Sequence, residues 1–333
     1  MTPRISAILP VYNGRRYLLA AVRSVLAQSL PPCELIVVDD GSADGSLEEL
    51  ASLPPPPFPL RVLRQANAGQ SAARNAAARE ATGEYLAFLD QDDQWHPRHL
   101  EKLVAPLVAD PEVGWAYCDF DEMDLDGNLV TRAFLRTQGV KHPKRTIYEC
   151  VAGDLMVLPS ASVLRRAAFE PSGGFDEALS GYEDDDLFVR FFRLGWDHAF
   201  VPRPLLRFRV HTAGSSASAR FLASRLRYAE KLLAILPDDS RMFRYYVSQG
   251  IAPRFFLTSL DDYVRAVSAR DWPGAQLALQ AVNHFAALRR PSLRLRWKLL
   301  WIQRPRLFRR LLVLNDRLPY GAKFIRNPTV TLR

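Results

Sequence analysis

The run Tyr85–Leu89 (YLAFL) leads straight into Asp90-Gln91-Asp92-Asp93, and the run Glu34–Val38 (ELIVV) into Asp39-Asp40-Gly41-Ser42. Each run is too short for a helix and nearly all apolar, the pattern of a strand covered on both faces. Such strands need helices above and below them, which points to a mainly parallel sheet with helical crossovers. The same runs deliver several like charges to the strand ends, an arrangement that needs a compensating partner.

The neighbouring segments keep the alternation. Ile5–Val11 (ISAILPV) is a strand ending in the turn signal Tyr-Asn-Gly. Leu18, Ala21, Val22, Val25 and Leu26 fall on one helix face, and Pro31-Pro32 stops that helix. LPPPPFP (53–59) is a stiff connector ahead of a third strand, Leu60–Arg64. The alanine-rich segment Ala68–Ala81 is predicted helical, Tyr85–Leu89 is the fourth strand, and Leu100, Leu103, Val104, Leu107 and Val108 mark another helix. Trp115–Phe120 is predicted as a fifth strand. The expectation is an α/β domain over residues 1–219. Beyond it the strand signals fade, and segments such as 221–236 indicate a helical region over 220–333.

Charge divides the chain at the same place. The net charge of +8 conceals 22 Lys/Arg against 7 Asp/Glu in residues 220–333, a net of +15, and a net of −7 before them. In 292–314, arginines interleave with Leu, Trp and Phe, with Pro291 and Pro305 breaking the segment. A basic amphipathic helix of this kind fits an anionic membrane interface; the rival reading is a helical subdomain with a solvated arginine face. No nucleic-acid-binding module accompanies the charge, so no nucleic acid partner is expected. Cys33, Cys118 and Cys150 form neither a CxxC pair nor a disulfide framework, which fits a reducing compartment. No secretory leader is expected in MTPRISAILPVYNG, and no uninterrupted apolar run reaches the roughly 18 residues of a membrane span. The expected location is cytoplasmic, peripheral on the inner face of the cell membrane.

In a parallel α/β sheet, ligands bind outside the carboxyl ends of the strands. Pro10-Val11-Tyr12-Asn13, Asp39-Asp40 and Asp90–Asp93 all fall there. Aspartates also begin turns and cap helices, which accounts for any one of them. Three groups in this order are better explained by a cation. Carboxylates around an open position suit Mg²⁺ or Mn²⁺, which takes one or two of them and completes its shell with substrate phosphates.

The chain resembles glycosyltransferase family 2, whose members have the GT-A fold, a Rossmann-like nucleotide-diphospho-sugar transferase domain. The resemblance covers roughly residues 4–215 and rests on ordered blocks: AILPVYNG (7–14), ELIVVDDGSADGS (34–46), QANAGQSAARNAA (65–77), GEYLAFLDQDDQW (83–95), GGFDEAL (173–179), GYEDDDLFVR (181–190) and RFRVHTAGSS (207–216). It implies that Pro10, Tyr12 and Asp40 hold the nucleotide base, with Asp39 a near-equivalent candidate for base or ribose. Asn67 and Arg74 would lie along the nucleotide. Asp90 would approach the ribose and Asp92 a divalent metal, Mn²⁺ or Mg²⁺; the register of three aspartates leaves open which role Asp93 shares. His211 is implied as a further metal ligand or diphosphate contact, although a lone histidine beside a strand is more often simply hydrogen-bonded.

Four consecutive carboxylates, Glu183 to Asp186, exceed what a helix start needs. The family pattern makes Asp184 the base that takes the acceptor hydroxyl proton, with Glu183 binding the acceptor and Asp185 and Asp186 capping or solvated. Trp95 is expected to wall the acceptor site, though a core tryptophan would look the same in sequence. Gly173-Gly174-Phe175 should bring backbone close to the sugar, with Asp176 touching donor or acceptor hydroxyls. The implied function is an inverting, metal-dependent transfer of a sugar from a nucleotide diphosphate, most plausibly a UDP-sugar, to a glycan or lipid-linked hydroxyl. That chemistry serves polysaccharide, glycolipid or cell-surface glycan synthesis. A sugar-nucleotide pyrophosphorylase would want a glycine-rich basic loop where PVYNGRRY stands. A degenerate, non-catalytic scaffold at the membrane is the other alternative, opposed by the retained carboxylates.

Overall fold

A computed structural model describes residues 2–211, 219–289, 299–300 and 302–316. The chain divides into two compact units: Met1–Ile147 with Met156–Gly214, and Tyr148–Leu155 with Ser215–Arg333. The second unit thus takes in a short segment, 148–155, that the sequence pattern leaves with the first.

Along the chain to residue 209 the order is β1 (Ile5–Val11), α1 (Leu18–Leu26), β2 (Glu34–Asp39), β3 (Leu60–Arg64), α2 (Gln70–Glu80), β4 (Tyr85–Phe88), β5 (Gln94–Trp95), α3 (His99–Ala109), β6 (Val113–Met123), β7 (Leu129–Thr131), α4 (Phe134–Thr137), α5 (Ile147–Val151), β8 (Ser162–Arg165), α6 (Arg166–Ser172), α7 (Glu183–Arg193) and β9 (Asp197–Arg209); α5, from Tyr148 on, belongs to the second unit and the rest to the first. The sheet runs β3-β2-β1-β4-β8-β6-β9-β5, with β7 paired to β6. Parallel pairing joins β1, β2, β3 and β4 and the long β6–β9 pair; the antiparallel pairs are short.

Both faces of β1, β2 and β4 are covered, and every residue of the three strands is buried. That is why their sequences are apolar throughout rather than alternating. The register Ile8↔Phe88 and Val11↔Asp39 brings the carboxyl ends of β1, β2 and β4 side by side. At the other end, buried Glu34 accepts from Ser6 Oγ, Thr82 N and Thr82 Oγ1, closing the amino ends. Gly83 sits there because a Cβ would lie 2.5 Å from the backbone nitrogen of Ser6.

Strand β9 was not apparent in sequence, and it contains Pro202 and Pro204. Its pairing with β6 shifts register around Asp119↔Pro204, which accommodates residues that have no N–H to donate. Beyond that shift β9 pairs with β5, as Gln94↔Arg207 and Trp95↔Leu206. This short ladder carries residues 207–211 back to the aspartate loop.

The second unit is helical: α8 (Ala219–Ile235), a π-helical turn (Tyr246–Ile251), α9 (Ala252–Ala269), α10 (Trp272–Leu288) and α11 (Pro305–Asp316). Tyr228, Phe255, Phe256, Tyr263, Phe285 and Phe308 are buried in it. Asp271 caps α10 by accepting from Gly274 N at 3.0 Å. In α11, Phe308 stacks on Tyr263 with ring centroids 5.6 Å apart. The 291–298 part of the basic segment lies outside the described residues. Among the described residues no helix is long and apolar enough to cross a membrane.

Candidate active site

The ends of β1, β2 and β4, the start of α7 and the end of β9 converge on one rim. Gln91 ties two of its loops together: its Oε1 accepts from Tyr12 N at 2.9 Å, and its Nε2 donates to Tyr12 O at 3.1 Å. A Cβ on Gly14 would lie 2.2 Å from that Oε1, so any side chain there would push the Gln91 amide off Tyr12. Pro10 is buried in the sheet, while Tyr12 is 49% exposed and Asn67 is exposed.

At the end of β2, Asp39 Oδ1 accepts from Ser42 N at 2.9 Å. Asp40 is buried and uses both oxygens: Oδ1 accepts from Gln65 Nε2 and Ala68 N, and Oδ2 from Gly69 N. These bonds order the turn into α2, so in this structure Asp40 serves the chain rather than offering a free edge to a base.

Arg74 differs most from its expected place along the nucleotide. Among the described residues it is the largest fully buried side chain, with Nη2 2.5 Å from Asp90 Oδ1 and Nη1 3.1 Å from Glu183 Oε1. Burial opposes its charge, but Asp90, Glu183 and Asp184 outweigh that, and the guanidinium is held charged above its ordinary value. Glu183 is as firmly held. Oε1 also accepts from Gln70 Nε2, and Oε2 accepts from Gly181 N at 2.7 Å. The neighbouring Asp184 is only half-buried, its Oδ1 accepting from Asp185 N. Asp185 and Asp186 are buried rather than solvated, and Asp186 pairs with Arg190 at 2.8 Å.

The aspartate loop separates into three roles. Asp90 meets Arg74, and its N donates to Ser160 Oγ at 3.0 Å. Asp92 Oδ2 lies 2.6 Å from His211 Nε2. Burial first, and the Asp90 charge second, push the Asp92 carboxyl up, with His211 pulling it back. Asp93 is buried beneath the loop, where its Oδ1 accepts from Arg209 N at 3.0 Å, and burial with the Asp92 and Asp90 charges pushes it well up. Its carboxylate faces β9.

Trp95 is a core residue. Its indole N–H donates to Ser160 O at 2.8 Å and its ring stacks on buried His99 at 4.7 Å. In the Gly173-Gly174 turn the close approach is to Asn75, which accepts from Phe175 N and donates to Phe175 O. A Cβ on Gly174 would meet Asn75 Oδ1 at 2.6 Å. Asp176 Oδ1 accepts from Ala178 N within that turn.

Sequence reasoning passed over Arg209. Its Nε donates to Asp92 O, its Nη1 to Asp124 O and Leu125 O, and its guanidinium lies 4.3 Å from the Tyr17 ring centroid. It thereby holds the aspartate loop against the hairpin between β6 and β7. The available signal was the two-residue spacing to His211, which places both side chains on one face of an extended segment.

Asp92 and His211 are of the donor types that a divalent cation takes, while Asp90 is already paired with Arg74. Asp92 brings a carboxylate and His211 an imidazole within 2.6 Å of each other, the oxygen and nitrogen donors such cations take. Among the described residues no group of three or more His, Cys, Asp or Glu is placed to hold a metal ion. Mg²⁺ and Mn²⁺ sites that share a substrate diphosphate need only one or two protein carboxylates.

A parallel sheet with carboxylates at its strand ends, flanked by a second acidic helix start, defines the GT-A class of nucleotide-diphospho-sugar transferase folds. The chain belongs to glycosyltransferase family 2: that family's model, Glycosyl transferase family 2, matches residues 6–171. An uncharacterized glycosyltransferase of Nostoc sp. is 41% identical over 140 residues, covering 41% of this chain and 42% of that protein. The putative teichuronic acid biosynthesis glycosyltransferase TuaG of Bacillus subtilis is 33% identical over 153 residues, 45% of this chain and 60% of that protein. The matched region thus spans about half the length of these relatives. Among solved structures, S. aureus TarS 1-349 in complex with UDP-GlcNAc superposes with a TM-score of 0.63 at 19% identity, covering 94% of this chain and 91% of that one. The mannosyltransferase PcManGT from Pyrobaculum calidifontis, in complex with GDP-Man and Mn²⁺, superposes with a TM-score of 0.55 at 20% identity, covering 100% and 86%. These likenesses establish the fold.

Proposed function

We propose that the chain transfers a sugar from a nucleoside diphosphate, of the uridine class, to a hydroxyl acceptor in one displacement with inversion. The observation that carries this reading is the Arg74 bridge. It sets the aspartate loop, where a diphosphate would be held, next to the acidic start of α7.

Asp184 is the base. It stands beside the held Glu183, half-exposed, and takes the acceptor hydroxyl proton. As the acceptor oxygen bonds to the anomeric carbon, the bond to the diphosphate breaks and its electron pair leaves with the phosphate. One base and one displacement invert the anomeric centre. Asp92 and His211 would hold a divalent cation, Mg²⁺ or Mn²⁺, with Asp90 beside them. When bound, that cation acts as a Lewis acid that stabilises charge on the leaving diphosphate. Asp39, Tyr12 and Asn67 line the rim where base and ribose would lie, and Asp176 stands by the Gly173-Gly174 turn on the α7 side.

The uridine preference is supported by the TarS complexes with UDP-GlcNAc and UDP, although the same fold in PcManGT holds GDP-Man. A cell-surface glycan acceptor is supported by the name of TuaG. The same reading takes an anionic membrane surface as a partner of residues 220–333, on their net charge of +15. The test is turnover of a panel of nucleotide sugars, with and without Mn²⁺, by the wild-type chain and by Asp184→Asn. Metal-dependent turnover lost in Asp184→Asn is expected. No turnover across the panel, or an undiminished variant, overturns the proposal.

A further inference from the structure

The connection from α8 to the π-helical turn carries two of the most exposed apolar side chains of the described residues, Phe243 at 82% and Met242 at 58%. This is not a loose loop. Asp239 and Arg244 exchange both backbone hydrogen bonds, at 2.7 and 2.9 Å, closing Ser240–Phe243 into a tight tip. Asp239 Oδ1 accepts from Arg241 N at 2.9 Å and from Met242 N at 3.2 Å. Asp238 accepts from Val247 N and Ser248 N. Both carboxylates therefore serve the chain's own amides. Phe243 has φ of 51°, a left-handed conformation that a bulky side chain seldom adopts. The backbone thus holds an aromatic ring outward at a cost, with Arg241 and Arg244 exposed on either side of the apolar pair.

We propose that this tip inserts into an anionic bilayer surface, with Met242 and Phe243 in the interfacial layer and Arg241 and Arg244 against the headgroups. Aromatic rings favour that layer, and arginines extend apolar stems through it while keeping their charge at the phosphates. Charge complementarity argues for lipid: residues 220–333 carry a net +15, which would draw the unit to an anionic surface. Size argues against a protein partner. A stable protein interface covers roughly 800 Å² per side, far more than two apolar side chains supply, whereas an interfacial wedge needs no more. The inference deepens the membrane-surface part of the proposed function and does not depend on its sugar-transfer part.

The test uses the full chain in co-sedimentation with vesicles of phosphatidylcholine alone and of phosphatidylcholine mixed with phosphatidylglycerol. Binding to the mixed vesicles only is expected. The double variant Met242→Ser/Phe243→Asp should bind them about tenfold more weakly or worse. Phe243→Gly should also bind more weakly while its Tm does not fall, because glycine takes the left-handed conformation freely. That second variant separates lost membrane contact from lost folding. Wild-type binding by both variants, or no wild-type binding to the mixed vesicles, overturns the proposal. So does a loss of self-association in gel filtration with vesicle binding unchanged, which would assign the tip to a second copy of the chain.

Discussion

Arg74 Nη1 stands 3.1 Å from Glu183 Oε1, across a separation of 109 positions in the chain, while its Nη2 meets Asp90 at 2.5 Å. One buried guanidinium on α2 therefore joins the loop after β4 to the first residue of α7. Removing one partner of a buried pair leaves an uncompensated charge, which is far costlier than the net value of the pair. Arg74→Met is expected to lower the unfolding free energy by about 3–5 kcal/mol in urea titrations. Adding Glu183→Gln to that variant should recover about 1 kcal/mol or more. A loss under about 1 kcal/mol for Arg74→Met would contradict a structural bridge.

Glu183 and Asp184 are adjacent but should fail differently. Glu183 has three donors from Arg74, Gln70 and Gly181, so Glu183→Gln should reduce both Tm and turnover. Asp184 is half-exposed, and Asp184→Asn should keep its Tm while turnover falls by about 10²–10⁴. Equal effects on Tm from the two substitutions would argue against this division of roles.

Asp92 and Asp93 offer a similar contrast. Asp92 faces His211, whereas Asp93 faces the Arg209 backbone. In titration calorimetry with Mn²⁺ and UDP, Asp92→Asn should abolish measurable metal binding, and His211→Ala should weaken it by about tenfold or more. Asp93→Asn should leave it within about twofold of wild type. Equal losses from Asp92→Asn and Asp93→Asn would move the metal off Asp92.

His99 gives the stability of the first unit a pH dependence. It is fully buried, with Nδ1 3.0 Å from Leu205 O, and burial depresses its pKa from 6.5 to about 3. Between those values the unfolded chain binds a proton that the folded chain does not. Stability is therefore lost as pH falls from about 6.5 toward about 3, by up to about 5 kcal/mol. His99→Phe keeps a ring against Trp95, and Leu205 O still accepts from His96 N. Denaturation midpoints across that window should fall less steeply for the variant; parallel curves would place the acid sensitivity elsewhere.

The strands over 5–11, 34–38 and 85–89 were legible because burial on both faces writes itself into consecutive apolar residues, whereas 60–64, at the sheet edge and partly exposed, was marked by the proline-rich connector before it. The helices over 18–26 and 99–109 showed in the same local way, through spacing, and the helix over 70–80 through its alanine content. Strand β8 is four residues long and β9 is interrupted by Pro202 and Pro204. Such segments become strands only because partners distant in sequence pair with them, and no local pattern reports a distant partner.

The candidate site divides along the same line. The sequence alone determined that carboxylates gather at the ends of β2 and β4 and at the start of α7, since strand ends and helix starts are local features. Only the tertiary structure decided what each carboxylate does. Gln65 and the Ala68 and Gly69 amides occupy Asp40, the Arg209 amide occupies Asp93, and Arg74 with Gln70 occupies Glu183. Asp92 faces His211, and Asp184, half-buried, accepts from the Asp185 amide. The physical reason is that a carboxylate's chemistry is set by the donors and burial around it, and those come from residues that only folding brings near.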